Sequence, residues 1–123
     1  HPEMLDPTRG AIAIYAPRFS QDVLDVLDIV RRAILSRTML VFAYTSLSDQ
    51  KSKRLVRPLE IEVWDNALTL TGWCETRANF RVFRLDRMEN TTLGDHGFKP
   101  EIGKRLKDYL GQQNAKPDTV TDH

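Results

Sequence analysis

The sequence predicts a mainly β fold with flanking helices, an α+β arrangement: a small antiparallel β-barrel preceded by one amphipathic helix and followed by a short C-terminal helix. Three observations predict it. Residues 20–37 hold one helical period behind a capping serine. After Thr38 the period drops to two and persists through four or five short segments broken by tight turns. A shorter helical pattern closes the run at Lys104 to Leu110. Consecutive short strands with few helices favour a small barrel over a parallel sheet, which needs a crossover between strands.

The first helix is the clearest element. Ser20 can accept from a free backbone N–H of the first turn. Phe19 and Leu24 occupy the two positions of a hydrophobic staple. Asp22 and Asp25 lie near the start, and Arg31, Arg32 and Arg37 near the end, which suits the helix dipole. Val23, Val26, Leu27, Val30, Ala33 and Ile34 form a wide apolar face. A face this wide can cover a sheet and still touch a second partner.

The strands follow in order. Met39 to Thr45 is apolar and aromatic, and "SLSDQKSK" reads as a polar loop. Leu55, Leu59, Ile61 and Val63 alternate with Val56, Pro58, Glu60 and Glu62, and Pro58 marks an edge or a bulge. "WDNAL" carries an Asp-Asn turn signal. "ALTLTGWCE" alternates cleanly, with Leu68, Leu70, Gly72 and Cys74 against Thr69, Thr71, Trp73 and Glu75. "TRAN" is a second turn before "FRVFRLDRM", and "ENTTL" continues as a short last strand. Gly94 to Gly103 reads as a loop. Residues 1–19, with three prolines, read as a linker, in which Ile12 to Tyr15 admits a short edge strand. From Gln112 the chain reads as a disordered tail.

Composition excludes several classes. The 123 residues suit one modest domain. Net charge is +1, so a uniformly basic nucleic-acid coat is excluded while a local basic patch is not. Cys74 is the only cysteine, so no intrachain disulfide forms, and a reducing, cytoplasmic setting fits. No apolar run approaches the roughly 20 residues of a membrane span. One cysteine with the one internal histidine, His96, makes no usual zinc set. There is no phosphate-cradling glycine loop and no nucleophile–base pair. Glu60 and Glu62 share one strand face and have no visible acid–base partner. No cofactor is expected, and the chain does not read as an enzyme.

The basic residues carry more. Lys51, Lys53, Arg54 and Arg57 form one cluster; Arg77, Arg81, Arg84 and Arg87 form another. Arginine presents a planar fork of donors suited to phosphate. Tyr44, Trp64 and Trp73 offer stacking faces for bases. The bland reading is a solvated charged face, with Asp86 pairing a neighbouring arginine and Arg81 reaching solvent. Arg84 and Arg87 are three apart, so a regular strand points them to opposite faces. They meet one ligand only if a bulge or curvature intervenes.

"LTLTGWCETRANFRVFRLDRM" resembles the signature of the WYL domain, found in bacterial transcription regulators of the YafY/DeoR-like type. The matching pieces are Leu68-Thr69-Leu70, Trp73-Cys74-Glu75-Thr76-Arg77 and Phe80 to Met88. Upstream, Tyr44 and Ser46 match the family's Tyr-x-Ser strand, and Arg54, Val56, Pro58 and Leu59 match its Arg-x-Val-x-Pro-Leu. The similarity runs from about residue 21 to residue 110. Leu68 departs from the tryptophan that helps name the domain, and Thr69 stands where tyrosine is usual. If those aromatics stack on a base, Trp73, on the strand face of Thr69, is the one replacement in reach.

The resemblance implies an Sm-like or SH3-like barrel over residues 20–111. It implies a C-terminal sensor domain joined by residues 1–19 to a missing N-terminal DNA-binding domain of the helix-turn-helix type. It implies a nucleotide or single-stranded nucleic-acid effector in a basic groove, with promoter DNA read by the missing half. The groove positions carry over as Tyr44, Ser46, Arg54, Thr69, Arg84 and Arg87. The alternative is a structural module that forms a homodimer through the wide helix face, with its arginines bonded internally.

Overall fold

In the computed structural model, residues 18–115 are described. Helix α1 spans Gln21–Ser36. Five strands follow: β1 (Thr38–Thr45), β2 (Lys51–Val63), β3 (Leu68–Cys74), β4 (Asn79–Arg84) and β5 (Met88–Gly97). A 3₁₀ turn, Leu85–Arg87, separates β4 from β5. Helix α2 spans Leu106–Ala115. The strands form one antiparallel sheet in the order β4-β3-β2-β1-β5.

Helix α1 begins and ends as its sequence dictates. Ser20 Oγ accepts from Val23 N–H at 3.2 Å. Arg37 closes the helix in the left-handed region, and its N–H reaches the carbonyls of Ala33 and Ile34. Gln21–Asp25 and Arg32–Asp28 bond at helical spacing on the solvent side. The whole predicted apolar face is used internally. Leu27, Val30 and Ala33 are buried in the core, and Val23, Val26 and Ile34 pack against it. The face is therefore committed to its own sheet, which weakens the expectation that it serves a second copy.

Three strand boundaries differ from the sequence reading. β2 already begins at Lys51, so the tip of the β1–β2 loop is Leu47 to Gln50. It is held by Ser46 N–H to Gln50 O (2.9 Å) and Asp49 N–H to Ser46 O (3.0 Å). β5 runs on to Gly97 because its backbone keeps pairing β1 through two register shifts. Asn90, at positive φ, sits at the second of them, a conformation asparagine tolerates. Helix α2 starts two residues later than expected and continues to Ala115, past the expected tail start at Gln112. The expected edge strand at Ile12 to Tyr15, most of the linker and the end of the tail lie outside the described residues.

The sheet is strongly curled. Flat, the edges β4 and β5 would lie about 19 Å apart, four strand spacings. Yet they are joined by Leu85–Arg87 alone, and a 3₁₀ stretch of that length covers only about 8 Å. Ring contacts across the hollow show the same curl. Phe83 on β4 meets Phe42 and Tyr44 on β1 with centroids 5.1 and 5.0 Å apart, although two strands separate β1 from β4. The ladder does not join β4 to β5. The closed barrel expected from the sequence is thus, in its hydrogen bonding, an open five-stranded sheet. Other bonds bridge the two edges. Tyr44 Oη accepts from Arg84 N–H at 3.0 Å. Arg87 Nη1 donates to the carbonyls of Thr45 (3.2 Å) and Ser46 (2.9 Å) at the end of β1. Arg84 forks onto Asp86 at 3.1 and 2.8 Å.

The curl starts at Gly72. Gly72 pairs with Pro58, and the β2–β3 register shifts immediately after it. A bulge there bends the strand and tightens its twist. A Cβ on Gly72 would lie 2.5 Å from Val56 Cγ1 and 2.7 Å from Arg57 O. No side chain fits without moving backbone.

Two outcomes follow for stability. Gly72→Ala should destabilise the chain by about 1–3 kcal/mol, since overpacking displaces neighbours; an unchanged denaturation midpoint would refute the tight crossing. Asp86 is held below the ordinary carboxylate range, first by its hydrogen bonds from Arg84, with burial opposing. A depressed folded value means that its contribution is complete above the unfolded value and is lost as pH falls through the folded one. Asp86→Asn should therefore lower the melting temperature at pH 7 by about 2 °C, a small effect because the pair is partly exposed, and the gap should narrow below about pH 4. A gap that stays constant from pH 7 to pH 2 would mean the charge contributes nothing.

Candidate functional site

Strand alternation divides the basic residues between the two faces of the curled sheet. Inner-face residues on β1 are Leu40, Phe42 and Tyr44, which pair with Val56, Arg54 and Ser52 on β2. On β3 they are Leu70, Gly72 and Cys74, opposite Phe83, Arg81 and Asn79 on β4. The first predicted cluster is thereby broken up. Lys51 pairs with Glu89 at 3.3 Å. Lys53 is exposed. Arg57 turns outward to Glu75 (2.8 Å) and Glu101 (3.1 Å). Arg54 alone points inward, and it is 2% exposed.

Arg54 has an unusual setting. Its Nε donates to Ser52 Oγ at 2.9 Å, and Nη1 lies 3.9 Å from Cys74 Sγ, a weak acceptor. Its guanidinium carbon stands 5.9 Å from the Tyr44 ring centre and 5.6 Å from that of Phe83. No carboxylate of the described residues lies within ion-pair distance of it. Two ring contacts supply about 1 kcal/mol each. Burying an uncompensated guanidinium costs several kcal/mol. The rings alone do not balance it.

The other predicted site residues fall into two groups. Tyr44 and Ser46 stand at the Arg54 end of the inner face. Tyr44 is buried, with Phe42 and Phe83 against its ring. Ser46 Oγ accepts from Gln50 N–H at 3.2 Å and shares a hydrogen with Ser48 Oγ at 3.0 Å. Arg87 reaches the same end, where the Ser46 carbonyl takes one of its N–H groups. Thr69 and Arg84 pair with each other on the outer face. Thr69 Oγ1 accepts from Trp64 Nε1 at 3.0 Å. Trp73 shares that outer face, as its spacing predicts. There it packs on Phe80 (5.1 Å) and under Lys104 (5.5 Å), and its Nε1 donates to Glu75 at 3.1 Å. It is separated from Arg54 by the sheet, so it does not replace a base platform beside that arginine.

The strand irregularity needed to bring Arg84 and Arg87 together is present, since β4 ends at Arg84 and the 3₁₀ turn carries Arg87. The two nonetheless bond to different groups, Asp86 and the β1 carbonyls.

Sequence reasoning passed over Arg81. It lies two residues from Phe83, hence on the inner face beside Arg54. Its Nε donates to Asn79 Oδ1 at 2.9 Å. Burial first, and the Arg54 charge second, push it below the ordinary guanidinium value. The signal was available: Arg81 and Phe83 share parity, and Phe83 was expected in the core. Cys74, expected as a buried thiol, is fully buried beneath Arg54. Glu60, the outward carboxylate next to Glu62, is raised by burial and then by that neighbour.

The outer face carries a second arrangement that the sequence did not reveal. Glu101 bridges Arg57 and Lys104 (3.0 Å), and Tyr109 of α2 packs on Phe80 at 5.5 Å. These contacts seat α2 on β3 and β4. The recess beside them, about 380 Å³, is lined by Arg37, Pro58, Phe98 and Lys107 among others.

Comparison with known proteins agrees with the geometry. Among solved structures the chain resembles Proteasome accessory factor B/C (PafBC) of Arthrobacter aurescens, with 24% identity and a TM-score of 0.59. That alignment covers 72% of this chain and 15% of the other, so the chain spans a small part of its solved relative. No curated protein matches. The WYL domain matches residues 25–93, which include α1, the inner-face arginines and both sheet edges. The chain belongs to the WYL domain family.

Proposed function

We propose that this chain is the effector-sensing domain of a bacterial transcription regulator, and that it binds a nucleotide-like or single-stranded nucleic-acid anion at the basic inner face around Tyr44 and Arg54. It would act as a binding module without catalysis, on an attached helix-turn-helix half that reads promoter DNA. Membership in the WYL family supports the regulatory part. The observation that carries the binding part is Arg54: a guanidinium 2% exposed, between two aromatic rings, without a carboxylate among the described residues. A buried charge without a partner is costly, and an anionic effector would supply the partner. For the effector to regulate, it must bind two arrangements of the whole regulator with different affinity.

A second reading, a dimerising module, has one observation in its favour. The outer face of β1 is uncovered, and Met39, Val41, Leu55 and Leu93 line a recess of about 440 Å³ there.

The test is binding set against stability. Labelled nucleotides and single-stranded oligonucleotides should bind the chain at low salt and weaken steeply as salt rises. Arg54→Met keeps the volume and removes the charge. Such replacements are commonly neutral or stabilising, by about 1–4 kcal/mol, so the variant should melt no lower than the wild type while losing binding. A variant that melts well below the wild type would show that Arg54 is a structural group. No binding by any probe, with a dimer at micromolar concentration, would favour the second reading.

A further inference from the structure

We propose that the seat for the effector's charge is the pair Arg54–Arg81, that the group it takes is a phosphate oxyanion, and that Arg84 and Arg87 are struts of the fold. The inference rests on the effector-binding reading and assigns its contacts.

The four arginines differ in what they already hold. Arg84 gives both sides of its fork to Asp86. Arg87 gives an N–H to each of two β1 carbonyls, and so ties the 3₁₀ turn to the far edge of the sheet. A ligand taking either would have to displace a bond that helps hold the curl. Arg54 and Arg81 hold no carboxylate among the described residues. Their printed acceptors are a serine hydroxyl, a thiol sulfur and an asparagine oxygen. Guanidinium has five N–H donors, so each arginine has further donors to give.

The two also stand close enough to oppose each other. Arg81 pairs with Gly72 and Arg54 lies under Cys74, both on the inner face of β3. Two neighbouring cations, one of them buried, are strained without an anion and relieved by one. Phosphate fits for geometric reasons. Its oxygens accept from two guanidinium forks at once, and its charge matches a pair better than a lone carboxylate does. Ser52, whose oxygen accepts from Arg54, keeps a hydroxyl hydrogen for the same anion.

The experiment follows each arginine separately. The chain is labelled with ¹⁵N, and the side-chain Nε–H signals are followed at low salt. Inorganic phosphate, a nucleoside monophosphate and a short single-stranded oligonucleotide are added in separate titrations. The Arg54 and Arg81 signals should move along one common binding curve, with those of Arg84 and Arg87 nearly still. Arg81→Gln should weaken binding by about tenfold or more, as loss of one ion pair does, with an unchanged melting temperature. Arg84→Gln should lower the melting temperature and leave affinity within about threefold. An oligonucleotide far tighter than the monophosphate identifies a nucleic-acid source for the phosphate; parity identifies a free nucleotide. Binding that moves Arg84 or Arg87 and leaves Arg81 still overturns the seat and spares the effector reading. No binding by any of the three overturns both.

Discussion

Three residues tether the two edges of a five-stranded sheet, and most of the molecule follows from that constraint. Leu85, Asp86 and Arg87 cannot span a flat sheet, so the sheet must curl. Curling needs a place where one strand crosses another closely. Gly72 supplies it, with the bulge after Pro58 beside it. A curled sheet has a narrow inner face and a broad outer one. The inner face holds a single layer of rings and aliphatic groups, Phe42, Tyr44, Phe83, Leu70 and Val56, which interlock at edge-to-face angles. The outer face is covered unevenly, by α2 over β3 and β4 and by little over β1.

Into that narrow space the chain places Arg54 and, beside it, Arg81. Energy alone would favour a leucine or methionine at such a depth. The surrounding rings lessen the cost, and their negative faces also fix the direction of the guanidinium. The same low-polarity walls that make the charge costly strengthen its attraction for an anion. The outward arginines face the opposite situation. Arg57 and Arg84 have carboxylate partners and bind the periphery together, and Arg87 bonds backbone carbonyls. One residue type therefore performs two tasks in this chain, and the distinction lies in what each fork already holds.

Much of this was legible in the sequence, and the failures have physical causes. Helix α1 was readable to within a residue because cap, staple and period agree on it. β3 was readable because its alternation is clean. The β2 start was missed because Lys51 and Lys53 are polar on an exposed face, and backbone pairing with β1 makes them a strand regardless. The end of β5 was missed for the same reason, since its pairing continues through bulges that no period predicts. Among site residues, Tyr44, Ser46 and Arg54 were rightly brought together. Thr69 and Arg84 were grouped with them although they lie on the opposite face. Arg81 was set aside although parity with Phe83 placed it inside. Parity within a strand was the reliable guide, and proximity in sequence was not.

The strand order has a further consequence, which concerns how the chain is made. The pairings β1–β2, β2–β3 and β3–β4 are hairpins between neighbours, available soon after each strand is synthesised. The pairing β1–β5 is not. Until residues 88–97 have emerged, β1 presents an unpaired edge beside Phe42 and Tyr44, and Arg84 N–H waits on a turn that has not yet formed. An exposed edge next to apolar rings is the usual starting point for association between nascent chains. The last strand thus acts as the fold's own shield, and a chain stopped before Met88 would carry the whole hollow open to its neighbours.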